Sequence, residues 1–230
     1  MKKKLVLLTG AGISAESGIK TFRDSDGLWE GHDVIEVATP EGWYKNPSLV
    51  LDFYNKRRQQ LKQVQPNLGH HILAQLEQEF EVHIITQNVD DLHERAGSSN
   101  VLHLHGELLK VRSSKDVNYI LDWHDDLHLG DVDPNQHQLR PHIVWFGEEV
   151  PALEEAVYLT QMADIFVVVG TSLQVYPAAG LVDFTQPETP LFYIDPKPAT
   201  IPNRSNCIEV IDKIASEGLL ILKERLSQLL

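Results

Sequence analysis

Apolar residues along this chain fall into short unbroken runs, separated by longer stretches of helical period. Lys4–Thr9, Glu81–Thr86, Val101–Leu104, Ile143–Phe146, Ile165–Val169, Leu191–Ile194 and Cys207–Ile211 read as strands. Several are continuous and β-branched, the pattern of strands covered on both faces of a parallel sheet. Asn67–Phe80, Pro151–Met162 and Lys213–Leu230 read as helices. A further helix is expected over 47–62, with Asn46 as its cap and Pro47 in its first turn. Segments 24–65 and 109–140 interrupt the alternation and look like insertions forming one smaller module. The remainder, 1–23, 66–108 and 141–230, reads as a single α/β domain, and there are no internal repeats. Gly10, Gln87, His105 and Gly170 each closely follow a predicted strand. Ligands of open parallel sheets collect at the carboxyl ends of the strands, so the polar punctuation is brought to one rim.

Composition narrows the classes. At 230 residues the chain can bury a full core. A formal charge of −13 argues against non-specific binding to nucleic acid. The opening lysines resemble the start of a signal peptide, but the apolar run behind them, Leu5 to Leu8, is short and flows into a glycine turn. It reads as the first core strand. No stretch is long enough to span a membrane, so neither a membrane nor nucleic acid is an expected partner. The single cysteine, Cys207, leaves no internal disulfide and no cysteine-cluster metal site. A cytoplasmic protein is expected, with its oligomeric state left open.

Four blocks carry chemistry. The stretch Gly10-Ala11-Gly12-Ile13-Ser14-Ala15 places glycines where a strand turns into a helix. It fits a dinucleotide fingerprint, in which the backbone approaches a pyrophosphate and free N–H groups at the helix start bind its charge. A tight turn packing helix on strand explains it equally well. Gln87-Asn88-Val89-Asp90 offers two amides and a carboxylate behind a strand, a set that also builds turns and caps. His105 is one of eleven histidines, and its setting between a strand and Gly106 singles it out; His103, two residues earlier, reads as structural. Gly170-Thr171-Ser172 ends the most apolar strand, where small residues and hydroxyls suit a diphosphate or ribose, or a plain turn. Together these support a Rossmann-like parallel sheet with helices on both faces plus the inserted module.

The blocks Gly10-Ala11-Gly12-Ile13-Ser14 running to Phe22-Arg23, Thr86-Gln87-Asn88-Val89-Asp90 with Leu92-His93, His105-Gly106-Glu107 and Gly170-Thr171-Ser172-Leu173 resemble the sirtuins, in the family's order, from residue 5 to about residue 220. Sirtuins are NAD-dependent enzymes that remove acyl groups from protein lysines. The resemblance implies that NAD is held by Gly10, Ala11, Gly12, Ile13, Ala15, Phe22, Arg23, Trp29, Gln87, Asn88, Asp90, Gly170, Thr171 and Ser172, with Asp195 and Ala215 on the adenosine side. It implies catalysis by His105 as general base, with Asn88. An imidazole suits that role because its pKa lies near working pH. An acyl-lysine peptide would add as a strand between Val144, Phe146, Gly147 and Glu148 on one side and Val175 on the other. Tyr54 and Arg57, three apart on a helix, share a face. That pair reads either as an ordinary amphipathic face with a snorkelling arginine or, by resemblance, as the mark of the branch preferring succinyl and malonyl groups, with Ala38 opening the pocket. Mono-ADP-ribosyl transfer and non-catalytic NAD or ADP-ribose binding are the alternatives.

Two departures from the family stand out. The interval that usually holds two Cys-x-x-Cys pairs has Ser113, Asp116, Val132 and Asn135 near those positions and no cysteine. No zinc is expected. The His- and Asp-rich run from His124 to His137 lacks the paired spacing of structural zinc and reads as a solvated loop. The second departure is Tyr193-Ile194-Asp195-Pro196-Lys197, which replaces the family's usual Asn-containing segment.

Overall fold

The computed structural model describes residues 2–20, 28–29, 31–201 and 208–228, and only the backbone of Leu28 and Trp29. The chain opens with β1 (Lys4–Thr9) and α1 (Ala11–Ser14), which tightens into a 3₁₀ turn over Ala15–Ser17. A two-stranded hairpin of β2 (Leu28–Trp29) and β3 (His32–Asp33) leads to α2 (Val34–Val37), α3 (Pro40–Lys45) and α4 (Pro47–Gln63). The chain then returns to the main body through α5 (Leu68–Leu76), β4 (Glu81–Thr86), α6 (Leu92–Ala96) and β5 (Val101–His103). Next come β6 (Gly106–Ser113), β7 (Ile120–Asp122), β8 (Leu139–Ile143) and α7 (Leu153–Gln161). The last elements are β9 (Ile165–Val169), β10 (Leu191–Ile194), β11 (Ile208–Ile211) and α8 (Ala215–Ser227).

Six strands form one parallel sheet in the order β11-β10-β9-β1-β4-β5. Its centre explains the unbroken apolar runs. Leu5, Leu7, Ile84, Val167 and Val169 face α5 and α8, whereas Val6, Leu8, Ile85, Phe166 and Val168 face Ala156 of α7 and Leu181. Both faces are covered, so no strand position can be polar without a partner. The direction of strand addition reverses between β1 and β9, where the loops after two neighbouring strands diverge and leave a crevice.

The smaller module is a three-stranded antiparallel sheet, β7-β6-β8, packed against α2–α4. β6 and β8 run across positions 108/109 and 140/141, where the sequence places the module's edges. The strand expected at Ile143–Phe146 is shifted: β8 ends at Ile143, and the residues after it turn. Pro141 sits inside β8, opposite Val111, and is tolerated because β8 is an edge strand that need not donate on its outer side. The 47–62 helix starts as expected, with Asn46 Oδ1 accepting from Leu49 N at 3.1 Å and Pro47 in the first turn. Thr39 likewise caps α3, accepting from Gly42 N at 3.0 Å, so Ala38-Thr39-Pro40 is also a helix start.

α4 is tied to the module by side chains. Asn55 grips the Leu127 backbone at both polar groups, donating to its carbonyl (3.0 Å) and accepting from its N–H (2.9 Å). Arg58, fully buried, donates to Asn55 Oδ1 at 2.8 Å and to the Leu108 carbonyl at 3.2 Å. The loops flanking the module are closed by Asp133. Its carboxylate accepts from Ser113 Oγ at 2.6 Å and from the N–H groups of Asn135 and His137, while Ser113 Oγ accepts from Lys115 and Asp116 N–H. Ser113 thus holds one turn, Asp133 the other, and their mutual bond joins the two. Burial pushes the Asp133 carboxyl up, but these donors outweigh it and hold it at about 2.

Buried histidines make the fold sensitive to acid. His70, wholly enclosed, caps its own helix by accepting from Asn67 N–H at Nδ1, and burial lowers its pKa to about 4. His142 is lowered to about 4, also by burial, and the enclosed ring of His93 is pushed well below the ordinary value. In the unfolded chain such rings gain a proton near pH 6.5, so the unfolded state binds more protons as pH falls from 6.5 toward 4, and stability is lost over that window. For His70 alone the shift corresponds to roughly 3 kcal/mol. Urea midpoints should therefore fall between pH 6.5 and 5, and His70→Gln should flatten that slope. A midpoint unchanged over this range would refute the assignment.

Candidate active site

At the reversal between β1 and β9 two loops meet backbone to backbone. Gly10 N–H donates to the Val169 carbonyl (3.0 Å) and Gly12 N–H to the Gly170 carbonyl (2.8 Å). A Cβ on Gly12 would lie 2.6 Å from Gly170 Cα, and one on Gly10 would lie 2.7 Å from Thr171 Cβ. Gly170 itself has φ +64, a left-handed backbone that favours glycine. The glycines therefore serve first to bring β1 and β9 loops together. This corrects the expectation of free helix-start amides: Gly12 N–H is used by Gly170, and Ile13 N–H is bound by the Gly10 carbonyl at 3.1 Å. α1 is also a single turn, too short for a strong dipole. What remains is a stretch of backbone packed directly on backbone, flanked in the chain by Ala11 and Ala15.

Beside this contact Asn88 is held by three polar groups. Its N–H donates to Thr86 Oγ1 (3.1 Å), its carbonyl faces His103 Nδ1 (3.0 Å), and its amide Nδ2 donates to Ser14 Oγ (3.1 Å). Ser14 in turn donates to Asp90 Oδ2 at 3.0 Å, and Asp90 Oδ1 accepts from Leu92 N. This Asn88–Ser14–Asp90 relay is buried and joins the loop after β1 to the loop after β4. Burial pushes the Asp90 carboxyl up, opposed by these two donors. None of these bonds uses the Asn88 amide oxygen.

His105 lies just past β5, half-buried, with Nδ1 2.9 Å from the Gln87 carbonyl oxygen. A carbonyl only accepts, so Nδ1 carries the hydrogen and Nε2 the lone pair of the neutral ring. Burial lowers the pKa of His105, with the Gln87 bond opposing, which favours that neutral form. Gln87 spans the crevice through Nε2, which donates to Thr171 Oγ1 at 3.1 Å. Thr171 is fixed further by Tyr193, whose hydroxyl donates to its carbonyl at 2.8 Å; Ser172 beside it is half-buried. Asp195 is buried behind β10, accepting from Lys197 N–H. Ala215 begins α8, where Glu16 accepts from Ser216 N–H at 3.0 Å and links the turn after β1 to that helix.

A second group of predicted residues lies on the module side. Val144 N–H donates to the His105 carbonyl (2.9 Å) and Phe146 N–H to the Ala38 carbonyl (3.0 Å). These bonds draw the catalytic candidate, Ala38 and the turn after β8 together. Phe146 and Gly147 are exposed there, and Gly147 has φ +88. Glu148 instead folds the turn, its carboxylate accepting from Arg112, Arg140 and Trp145 N–H. Tyr54 and Arg57 are both buried on α4, and the Arg57 guanidinium lies 5.7 Å from the Phe53 ring centroid. Tyr54 Oη accepts from Trp145 Nε1 at 3.0 Å, a bond that uses its lone pair and not its hydrogen. Burial pushes the phenol far up, so it stays protonated. Val175 is half-buried in the loop beyond Thr171. Phe22 and Arg23 lie outside the described residues, as do the side chain of Trp29 and Cys207.

Ser14, Glu94 and Trp145 are site residues that sequence reasoning passed over. Ser14 was within a quoted motif, but nothing in a one-dimensional pattern shows that its hydroxyl bridges Asn88 and Asp90. Trp145 lies within the stretch from Val144 to Glu148 that the resemblance sets beside the peptide, but its indole N–H gains meaning only from Tyr54 opposite it.

A six-stranded parallel sheet with a glycine turn at its reversal and polar side chains on the adjoining loops defines a Rossmann-like dinucleotide enzyme site. The chain belongs to the Sir2 family, whose pattern matches residues 10–177. It is 62% identical over 208 residues to a protein of Helicobacter pylori named NAD-dependent protein deacylase, covering 90% of this chain and 91% of that one. A Bacteroides thetaiotaomicron protein of the same name is 54% identical over 230 residues, covering 97% and 98%. Among solved structures, a Sir2 homolog–NAD complex superposes with a TM-score of 0.87 at 38% identity, over 99% of this chain and 90% of that chain. A Sir2–p53 peptide–NAD+ complex gives 0.79 at 30% identity, over 98% and 94%. The residues of this chain fit NAD: the two loops at the reversal present backbone with no side chain between them, and beside them the Asn88 amide oxygen and the Asp90 carboxylate are acceptors for hydroxyl and amide groups.

Proposed function

We propose that this protein removes acyl groups from protein lysines in an NAD-dependent reaction, preferring succinyl and malonyl groups and accepting acetyl. The observation that carries the reading is His105, half-buried at the rim, with Nδ1–H fixed on the Gln87 carbonyl and Nε2 left as the base. Support comes from relatives named NAD-dependent protein deacylase and from solved relatives described with NAD or with peptides. Bound NAD would supply the ribose carbon that takes the acyl oxygen as nicotinamide leaves. Gly10, Gly12, Gly170, Thr171 and Ser172 would hold its diphosphate side, with Gln87, Asn88 and Asp90 toward the nicotinamide end. With NAD bound, His105 Nε2 would take a proton from a ribose hydroxyl, and Asn88, fixed at three points, would orient that hydroxyl. The peptide lies between the turn at Val144–Gly147 and the loop at Val175, with its acyl-lysine directed toward Ala38, Tyr54 and Arg57.

His105→Ala should reduce turnover of an acyl-lysine peptide by about 10²–10⁴-fold while leaving binding of ADP-ribose near the wild-type value. Calorimetry and mass spectrometry on the same preparation separate the two effects. Retention of near wild-type turnover would assign the base elsewhere.

Acyl preference follows from burial. A succinyl carboxylate entering this pocket loses its hydration, which is costly unless donors replace the water. Arg57 offers a permanent charge and a planar fork, and Tyr54 a hydroxyl that burial keeps protonated. Hydrogen bonds to charged groups contribute roughly 1.5–3 kcal/mol, or tenfold to somewhat over a hundredfold. The double substitution Tyr54→Phe with Arg57→Met should lower kcat/KM for succinyl-lysine by that order and leave acetyl-lysine unchanged or improved. An equal loss on both substrates would make the pair a support of the fold alone.

We also infer that the module is closed without zinc. Support comes from the Ser113–Asp133 bond, which joins the two turns with backbone donors on both sides. Hydroxyl, carboxylate, Val132 and Asn135 at these positions do not supply the thiolate set of structural zinc. Among the described residues no three His, Cys, Asp or Glu side chains converge on a metal position. Incubation with a strong chelator should leave melting temperature and turnover unchanged, and stoichiometric zinc in purified untagged protein would overturn the inference.

A further inference from the structure

His103 ends β5, two residues before His105, with only 8% of its side chain exposed. Its Nδ1 lies 3.0 Å from the carbonyl oxygen of Asn88 and its Nε2 lies 2.8 Å from Glu94 Oε1. Glu94 is ionised at working pH: burial pushes its carboxyl up, but the bond to His103 and the charge beside it outweigh this and hold it below the usual range. A carbonyl oxygen and an ionised carboxylate only accept hydrogen bonds, whereas a neutral imidazole has a single N–H to give. Satisfying both partners takes the doubly protonated ring. The contrast with His105, which has one acceptor and one open nitrogen, is direct.

We propose that His103 works as an imidazolium held by Glu94, and that it is a positioning residue fixing Asn88 through its backbone carbonyl. Its effect on turnover rests on the deacylase reading, while its charge does not. The remaining surroundings agree. Asp90, from the loop after β4, and Glu107, from β6, both place negative charge toward the ring. Lys110 is the cation nearby, and it is paired with Glu107 at 2.8 Å. His93, one residue before Glu94 on α6, is held neutral by burial. Asp91, Asp122 and His124 line the small cavity beside His103, contributing two carboxylates against one imidazole. Burial alone would lower the pKa of His103, yet Glu94 reverses this and the net direction is up.

Two histidines on one strand end are thus driven apart, His105 down and His103 up. Opposed shifts of this kind separate the member that must be neutral from the member that must be charged. The plot of kcat/KM against pH should rise as His105 loses its proton and fall again as His103 loses its own. When His103 is neutral, either Asn88 or Glu94 faces a lone pair, and the grip on Asn88 weakens.

The test uses histidine labelled with ¹⁵N in the full-length protein, with His103 assigned by its absence in His103→Gln. The His103 midpoint should lie above 6.5, with both of its nitrogens protonated below that midpoint, while His105 titrates below 6.5. Glu94→Gln removes the counter-charge and should move the His103 midpoint down by about one unit or more. The alkaline limb of kcat/KM should move with it, a loss of up to about tenfold on that side of the profile. Glu94→Asp, which keeps the charge, should restore the limb toward wild type. A wild-type His103 midpoint at or below 6.5 overturns the proposal. So does a Glu94→Gln variant slowed by one factor at every pH, the behaviour of a purely structural residue. Should Glu94→Gln not fold, the wild-type titration decides the matter. Should no acyl-lysine be turned over, the deacylase reading falls, and the titration still confirms or overturns the charge.

Discussion

The site depends on one contact, the passage of the loop after β1 over the loop after β9 with no side chain between them. Gly12 N–H bonds the Gly170 carbonyl, and any Cβ at Gly12 would lie inside contact distance of Gly170 Cα. Because β1 and β9 are neighbours in the sheet, this closeness sets the width of the crevice at the reversal. Everything polar is then hung from its two walls: Ser14 on the β1 side reaches the Asn88–Asp90 loop, and Thr171 on the β9 side meets Gln87. The parallel sheet supplies the rigidity, since its central strands are buried on both faces and cannot slide without exposing apolar surface.

From this frame outward the side chains form two kinds of support. Around Asn88 and His105 most partners are hydroxyls and a backbone carbonyl, which set ring tautomer and amide orientation, and the one charged support is the Glu94–His103 pair on the Asn88 carbonyl. Around the turn after β8 the partners are charged: Arg112 and Arg140 converge on Glu148, and Arg140 stacks 3.3 Å from the Trp145 ring centroid. That stack orients the indole whose N–H reaches Tyr54. The turn after β8 is therefore fixed by an ion cluster, while Asn88 is fixed by hydroxyls together with the Glu94–His103 pair.

The sheet was legible because continuous runs such as Leu5–Leu8 and Ile165–Val169 have one physical explanation. Asn46 and Pro47 marked the start of α4 for the same reason, as a cap is a local interaction. The smaller sheet was not legible. β6 carries a register shift between Gly106 and Val111, so its inward side chains lose the period of two that betrays a strand. β8 contains a proline that argues against a strand until its edge position is known. At the site, the place of His105 and Asn88 after strands marked them as candidates, and the resemblance to the sirtuins supplied their roles. The relay through Ser14 joins residues far apart in the chain, and the grip of Glu94 on His103 depends on how α6 is set against β5. The glycine turn was read correctly in place and incompletely in reason, because its amides turned out to be bound by the neighbouring loop.

α4 has a property that its sequence hides. Tyr54 and Arg57 are the residues proposed to meet the acyl group, while Asn55 and Arg58, the very next residues, bind Leu127 and Leu108 of the module. Adjacent helix positions point about 100° apart, so one rigid rod presents a recognition face and an anchoring face side by side. The two faces cannot move independently. A substrate that pulled Arg57 inward would turn Asn55 against the Leu127 backbone, and a shift of the Leu127 loop would be felt as a change in pocket width. On the proposed acyl reading, selectivity becomes a property of the helix's seating, and a substitution at a module residue that never meets the acyl group would retune which chain length fits.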